Sequence, residues 1–169
     1  MFINPKLKLE KLTDTGVRAY LSAAHLDVDK KRLSVTNGNI LAVIPVDLSE
    51  GDTSGPVTTE VIKAARATRS ERVEITCNGG LGVDGKTFER PDLGKFPDID
   101  RVIPDGEPEF SVGLNARLLF ELAEALTVSN KANPPIVKLD FYDLTGKGAI
   151  RVTAGKNPDA IGVLMPCRL

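Results

Sequence analysis

One pattern occurs twice in this chain: a short strand, a capping residue, an amphipathic helix and then alternating strands. A repeated unit of this kind restricts the fold more than any single motif, because each copy needs a neighbouring surface to bury its apolar side. The first copy runs over 56–104. Pro56-Val57 leads to Thr58 or Thr59 as N-cap and to a helix over Glu60–Arg69. Val61, Ile62, Ala64 and Ala65 share one side of that helix, with Lys63 and Arg66 opposite. Arg72–Cys77 then alternates as a strand, Asn78-Gly79-Gly80 turns it, and Leu81–Val83 and Thr87–Glu89 continue it. The second copy covers 108–169. It has a strand at Glu109–Leu114, Asn115 as N-cap, and a helix from Ala116 to about Thr127. Leu118, Leu119, Leu122, Ala123, Ala125 and Leu126 form its apolar side, opposite Arg117, Glu121 and Glu124. After a loop at Ser129–Pro135 come strands at Ile136–Tyr142, Gly148–Thr153 and Ala160–Met165.

Residues 1–50 add strands without a helix. The pattern predicts an opening strand over Phe2–Leu12, with Lys6, Lys8 and Lys11 outward, and further strands at Lys31–Val35 and Ile40–Val46. Val17–Leu26 is a mixed run open to strand or helix, and the hairpin that follows it directly makes Val17–Val28 a strand in this reading. Thr36-Asn37-Gly38-Asn39 is the hairpin turn, since Asn-Gly supplies the positive φ a tight turn requires. Arg90–Asp105, with three prolines, reads as an ordered connector. The fold class is therefore α+β, with mostly antiparallel sheets carrying two helices on one side. The two repeats carry one helix each and residues 1–50 carry none, so the sheet at 1–50 should expose an apolar face, with Val35, Leu41 and Val43 as candidates. A second copy is the nearest cover for such a face, which predicts a homodimer.

Composition narrows the function. Lys and Arg number 22 against 23 Asp and Glu, so nucleic-acid contact must come from a local patch rather than a basic arm. Lys63 and Arg66, with Arg69 and Arg72 nearby, are that patch, able to track phosphates without reading bases. Glu121 and Glu124 on the second helix disfavour a strong DNA surface there. The lone His25 and the two cysteines, Cys77 and Cys167, make no metal set and no histidine-based catalytic pair. Gly79-Gly80 and Gly146-Lys147-Gly148 are turns, not phosphate loops. Asp98 and Asp100 are spaced like paired carboxylates but lie in the connector. The expectation is a non-enzyme without cofactor or metal. No apolar run long enough to span a membrane and no leader-like segment is visible, which predicts a cytoplasmic protein.

Three segments carry a resemblance. Leu33–Val43 (L-S-V-T-N-G-N-I-L-A-V) is similar to the strand–turn–strand in which bacterial sliding clamps, the beta subunits of DNA polymerase III, show Thr-Asp-Gly-His-Arg-Leu-Ala. Gly94–Pro104 (G-K-F-P-D-I-D-R-V-I-P) resembles their connector Gly-Arg-Phe-Pro-Asp-Tyr-x-Arg-Val-Leu-Pro. Val163–Leu169 (V-L-M-P-C-R-L) resembles their terminal Val-x-Met-Pro-Met-Arg-Leu. Residues 1–104 resemble the middle clamp domain without its first helix, and 105–169 the second half of the last domain.

The resemblance implies a peptide-binding cleft and no catalysis. Position by position, it assigns Leu21, Thr36, Leu41, Pro97 and Val102, then Val163, Met165, Pro166, Cys167 and Arg168, to capture of a short peptide with a Gln, a Leu and an aromatic residue. It gives Asp98 and Asp100 a turn role. Asn39 and Ile40 stand where the family has His-Arg, and Cys167 where it has Met, which removes a charge and shrinks one wall. The implied function is a replication or repair accessory that binds peptides of polymerase or repair proteins and touches duplex DNA loosely. The alternative is an interaction module, or decoy, that captures such peptides without DNA.

Overall fold

The computed structural model describes residues 1–127, 135–154 and 157–167. It divides into two compact units, Met1–Val102 and Ile103–Leu169. Among the described residues there are eleven strands and two α-helices, and every strand pair is antiparallel. The α+β class expected from the repeat is the one observed.

In the first unit, β1 (Phe2–Ile3) is followed by β2 (Ala24–Asp27), β3 (Arg32–Thr36), β4 (Leu41–Pro45) and β5 (Gly55–Val57). The last four form one sheet in the order β4-β3-β2-β5. Helix α1 (Thr59–Ala67) precedes β6 (Val73–Glu74), which pairs with β1, and the hairpin β7 (Leu81–Val83)–β8 (Lys86–Phe88). Leu26, Leu33, Val35, Val57, Val61, Ile62 and Ala65 lie in one core, all without solvent contact. Burial of each full-sized aliphatic there contributes about 1.5–3 kcal/mol. In the β3–β4 turn, Gly38 has φ +90°, and Asn37 Oδ1 accepts the N–H groups of Asn39 and Ile40.

Four expectations for this unit need correction. Phe2–Leu12 is not a continuous strand: only Phe2–Ile3 pairs, and Leu9–Leu12 is a 3₁₀ turn. Asn4-Pro5 breaks the strand, with Asn4 Oδ1 accepting from Lys6 N. Val17–Val28 keeps only its end as β2, while Ala19–Leu21 is a 3₁₀ turn and Val17 stands in solvent. Asp14 is the cause: its carboxylate accepts from Gly16 N at 2.9 Å and Arg18 Nε at 2.8 Å, competing with any ladder. Arg72–Cys77 pairs through β6 and a single Thr76–Gly82 bridge rather than as one strand. Finally, Val35 is buried and Leu41 and Val43 are half-buried, so the sheet at 1–50 is not bare. The Leu9–Leu12 turn packs on β3, β4 and α1 and covers the face that holds Val35, whereas Leu41 and Val43, opposite Thr36 and Ser34, lie on the other face.

In the second unit, α2 (Ala116–Leu126) leads to β9 (Val137–Phe141), β10 (Ile150–Ala154) and β11 (Asn157–Leu164), in sheet order β11-β10-β9. Asn115 caps α2 as expected, its side chain accepting from Arg117 N at 3.0 Å and Leu118 N at 3.3 Å. Thr58 holds the same position before α1, yet its hydroxyl makes no cap bond. No strand forms over Glu109–Leu114: only Gly113 pairs, its carbonyl accepting from Cys167 N at 2.8 Å, while Glu109 to Ser111 stay in solvent. Of the predicted loop at Ser129–Pro135, residues 129–134 lie outside the described residues.

The helix sits on the β10–β11 side of the sheet. Gly162 permits this, because a Cβ there would lie 2.8 Å from Leu122 Cδ1 and 3.0 Å from Leu126 Cδ1. Ile150, Val152, Ala154 and Leu164 are buried, whereas Ile161 and Val163 on the alternate positions of β11 face solvent.

Candidate functional site

Each unit holds its share of the residues assigned to peptide capture. In the first, Thr36 ends β3 and Leu41 opens β4 as direct cross-strand partners. The Thr36 hydroxyl donates to Ile40 O at 2.6 Å and accepts from Gly38 N at 3.0 Å, so it holds the turn. Arg18 braces that turn through Asn37 O at 2.6 Å. Leu21 is buried, Leu41 half-buried, Pro97 exposed and Val102 68% exposed.

In the second unit, Val163 and Met165 are 62% and 61% exposed. Pro166 is half-buried and Cys167 exposed, with the Cys167–Gly113 backbone bridge anchoring this segment. Two large apolar side chains two residues apart thus stand in solvent beside a fixed backbone. Arg168 lies outside the described residues.

The four basic candidates for DNA contact separate into two kinds. Lys63 is exposed on α1, and Arg69 follows the helix in a left-handed conformation at φ +58°. Neither makes an ion pair among the described residues. Arg66, by contrast, is bound to the nearly buried carboxylate of Glu10. Arg72 pairs with Asp47 at 2.6 Å and lies over the Phe2 ring at 4.3 Å. Two of the four side chains are therefore already paired with a carboxylate, Arg66 with a nearly buried one and Arg72 with an exposed one.

Sequence reasoning missed a groove of about 170 Å³ on the first unit, lined by His25, Lys30, Arg32, Ser34, Phe96 and Asp100 among others. The connector forms one wall. Asp100, in the 3₁₀ turn Ile99–Arg101, receives Arg32 Nη1 at 2.6 Å and Nη2 at 2.9 Å, and also binds Lys30. Arg32, then Lys30, hold its carboxyl well below the usual range, and Asp100 raises Arg32 in turn. His25 stacks on Phe96 with centroids 4.9 Å apart; its burial outweighs the attraction of Asp27 and lowers its pKa. Asp98 keeps the turn role implied for it, pairing with Arg101 at 2.9 Å, while Asp100 ties the connector to β3.

Ser34, His25 and Asp27 share this groove, with Ser34 directly opposite His25. They do not form a nucleophile–base–acid chain. The Ser34 hydroxyl is shut off from solvent with no hydrogen-bond partner, and Asp27 faces Arg32 at 3.4 Å. Arg32 and Asp100 hold each other charged, which suits a latch and not proton transfer. The Cys77 thiol is buried and pushed up to about 11 by that burial, far from a reactive thiolate. Among the described residues no group of three or more His, Cys, Asp or Glu is placed to hold a metal ion. No described helix is long and apolar enough to cross a membrane.

No family model matches the sequence, and no curated protein matches it. Solved structures do. The DNA polymerase III beta chain of Streptococcus pneumoniae aligns over 99% of this chain and 49% of its own, at 19% identity and TM-score 0.67. The Bacillus subtilis DNA polymerase sliding clamp aligns over the same shares at 14% identity and TM-score 0.70. The Bartonella birtlesii sliding clamp bound to griselimycin aligns over 99% of this chain and 66% of its own, at 17% identity and TM-score 0.59. The chain spans about half the length of the first two of these proteins. The chain has the fold of about half of a bacterial DNA polymerase III beta sliding clamp.

Proposed function

We propose that this chain is a sliding-clamp-like accessory of DNA replication or repair that captures partner peptides and contacts duplex DNA loosely. Residues 1–104 take the part of a middle clamp domain and 105–169 that of half a last domain. The observation that carries the peptide reading is the exposure of Val163 and Met165. An apolar pair left in solvent at the segment that resembles the clamp's terminal motif suits a peptide's Leu and aromatic side chains, and the thioether adapts to either. The reading needs no cofactor and no catalytic group. Fluorescence anisotropy with a labelled peptide carrying a Gln, a Leu and an aromatic residue should show binding on the order of micromolar. Met165→Asp should abolish it, because a carboxylate would be desolvated against the peptide. Unchanged binding in that variant would move the peptide site elsewhere.

The decoy reading, peptide capture without DNA, is favoured by one specific finding. Arg66 and Arg72 are engaged by Glu10 and Asp47, so of the four basic candidates Lys63 and Arg69 are the two without an ion pair among the described residues. Duplex retention at ~50 mM salt decides between the two readings. Because Arg66 anchors Glu10, the informative variant is Lys63→Glu with Arg69→Glu. In the DNA-contacting reading it weakens binding uniformly across sequences and shallows the salt slope by about two. No retention by the wild-type chain leaves the decoy reading.

A further inference from the structure

Helix α2 carries more apolar surface than its sheet covers. At 100° per residue, Leu119, Leu122, Ala123 and Leu126 point at the sheet, and of these Ala123 is the fully buried one. Phe120 lies on a flank of that arc and is 56% exposed. Arg117 and Glu124 fall within about 60° of Phe120, one turn before it and one turn after, and both are exposed. The three make one stripe of sequence Arg–Phe–Glu along the helix.

The charges of this stripe sit at the wrong ends for a helix alone. The first turn contains no acidic residue and the last turn no basic one. Arg117 stands near the positive end of the macrodipole and Glu124 near the negative end. Arg117 bonds Glu121 within the helix at 2.8 Å, but both side chains are open to solvent, and the Arg-before-Glu order is the weaker one. Opposite a second, antiparallel α2 both faults disappear. With Phe120 near a two-fold axis, Arg117 comes level with the partner's Glu124, and Glu124 with the partner's Arg117. Each charge then lies beside the favourable end of the opposing helix, and the two Phe120 rings cover one another.

We propose that two copies of this chain associate through antiparallel pairing of α2, with Phe120 at the centre and two Arg117–Glu124 pairs flanking it. This surface is independent of the peptide and DNA residues. Two helices of eleven residues make a small contact, so the association is weak, on the order of tens of micromolar. Light scattering and sedimentation of the full chain from about 50 to about 300 µM should show the mass rising from 18.1 kDa towards twice that value. Phe120→Glu should lower the association constant about tenfold or more, while far-UV circular dichroism keeps its helical signal. Arg117→Glu and Glu124→Arg should each weaken pairing, and the double variant should regain most of it. Ile161→Glu, on the other face of the sheet, should change nothing. A wild-type monomer across this range overturns the proposal. So does a dimer indifferent to Phe120→Glu, one lost with Ile161→Glu, or a double charge reversal no better than the single ones.

Discussion

The two helices have nearly the same length and opposite relations to their surroundings. In α1 the apolar stripe is narrow, and Val61, Ile62 and Ala65 are sealed from water. Glu60 lies in its first turn and Arg66 in its last, each at the end of the helix that favours it. In α2 the apolar arc is wide, one residue is fully buried, and the charges are reversed. One helix is complete within its own unit, and the other is built for an additional neighbour. A helix thus states in its own sequence how many faces are to be covered, once the width of the stripe and the placement of charge are considered together.

The contrast predicts unequal costs of substitution. Ile62→Ala leaves a cavity in a closed core and should lower unfolding free energy by about 2–5 kcal/mol, whereas Leu118→Ala on α2 should cost under ~1 kcal/mol. Equal effects in chemical denaturation would remove the distinction between the helices. Next in size is Gly162→Val, which drives a branched side chain into Leu122 and Leu126. A loss of about 1–3 kcal/mol, seen as faster amide exchange in the second unit alone, is expected.

The caps sharpen the comparison at smaller scale. Asn115→Ala should cost about 1 kcal/mol, since two amide donors lose their acceptor. Thr58→Val should cost less, because the Thr58 hydroxyl is buried without a partner and caps nothing. The smallest effect concerns the connector of the first unit. Arg32 and Lys30 depress the Asp100 carboxyl, so its contribution is present above the ordinary aspartate range near pH ~4 and fades as pH falls towards the lowered value. Asp100→Asn should therefore lower the urea midpoint at pH 7, and the gap to wild type should shrink below pH ~4. A gap that widened on acidification would mean that the carboxylate is not stabilised in the folded state.

Local chemistry was readable from the residues themselves. The Asn115 cap, the Asn37-Gly38 turn and both helices followed from period and turn residues. What was lost depended on competition or on distance. Val17–Ser22 is a mixed run that reads as strand because a hairpin follows it, but the Asp14 carboxylate draws the chain into a turn that the neighbouring hairpin does not signal. The Arg32–Asp100 and Arg66–Glu10 pairs join residues 68 and 56 positions apart, beyond any local pattern. The uncovered face assigned to residues 1–50 was misplaced because its residues divide between two faces. Val35 lies in the core on the side packed by the Leu9–Leu12 turn, while Leu41 and Val43, opposite Thr36 and Ser34, lie on the other side. For the candidate site, the alternation of β11 predicts that Val163 and Leu164 face opposite ways, but not which of the two is left in water. The assignment of these residues to peptide capture came from the resemblance.

The chain contains two methionines, and they make the most direct test. Met1 is fully buried in the first core, and Met165 is exposed beside Val163. A methyl-labelled sample gives one signal from each, so Met1 is an internal reference for Met165. On titration with the Gln–Leu–aromatic peptide, the account predicts a saturable shift of the Met165 methyl signal with the Met1 signal unmoved. Two unmoved signals at millimolar peptide would contradict it.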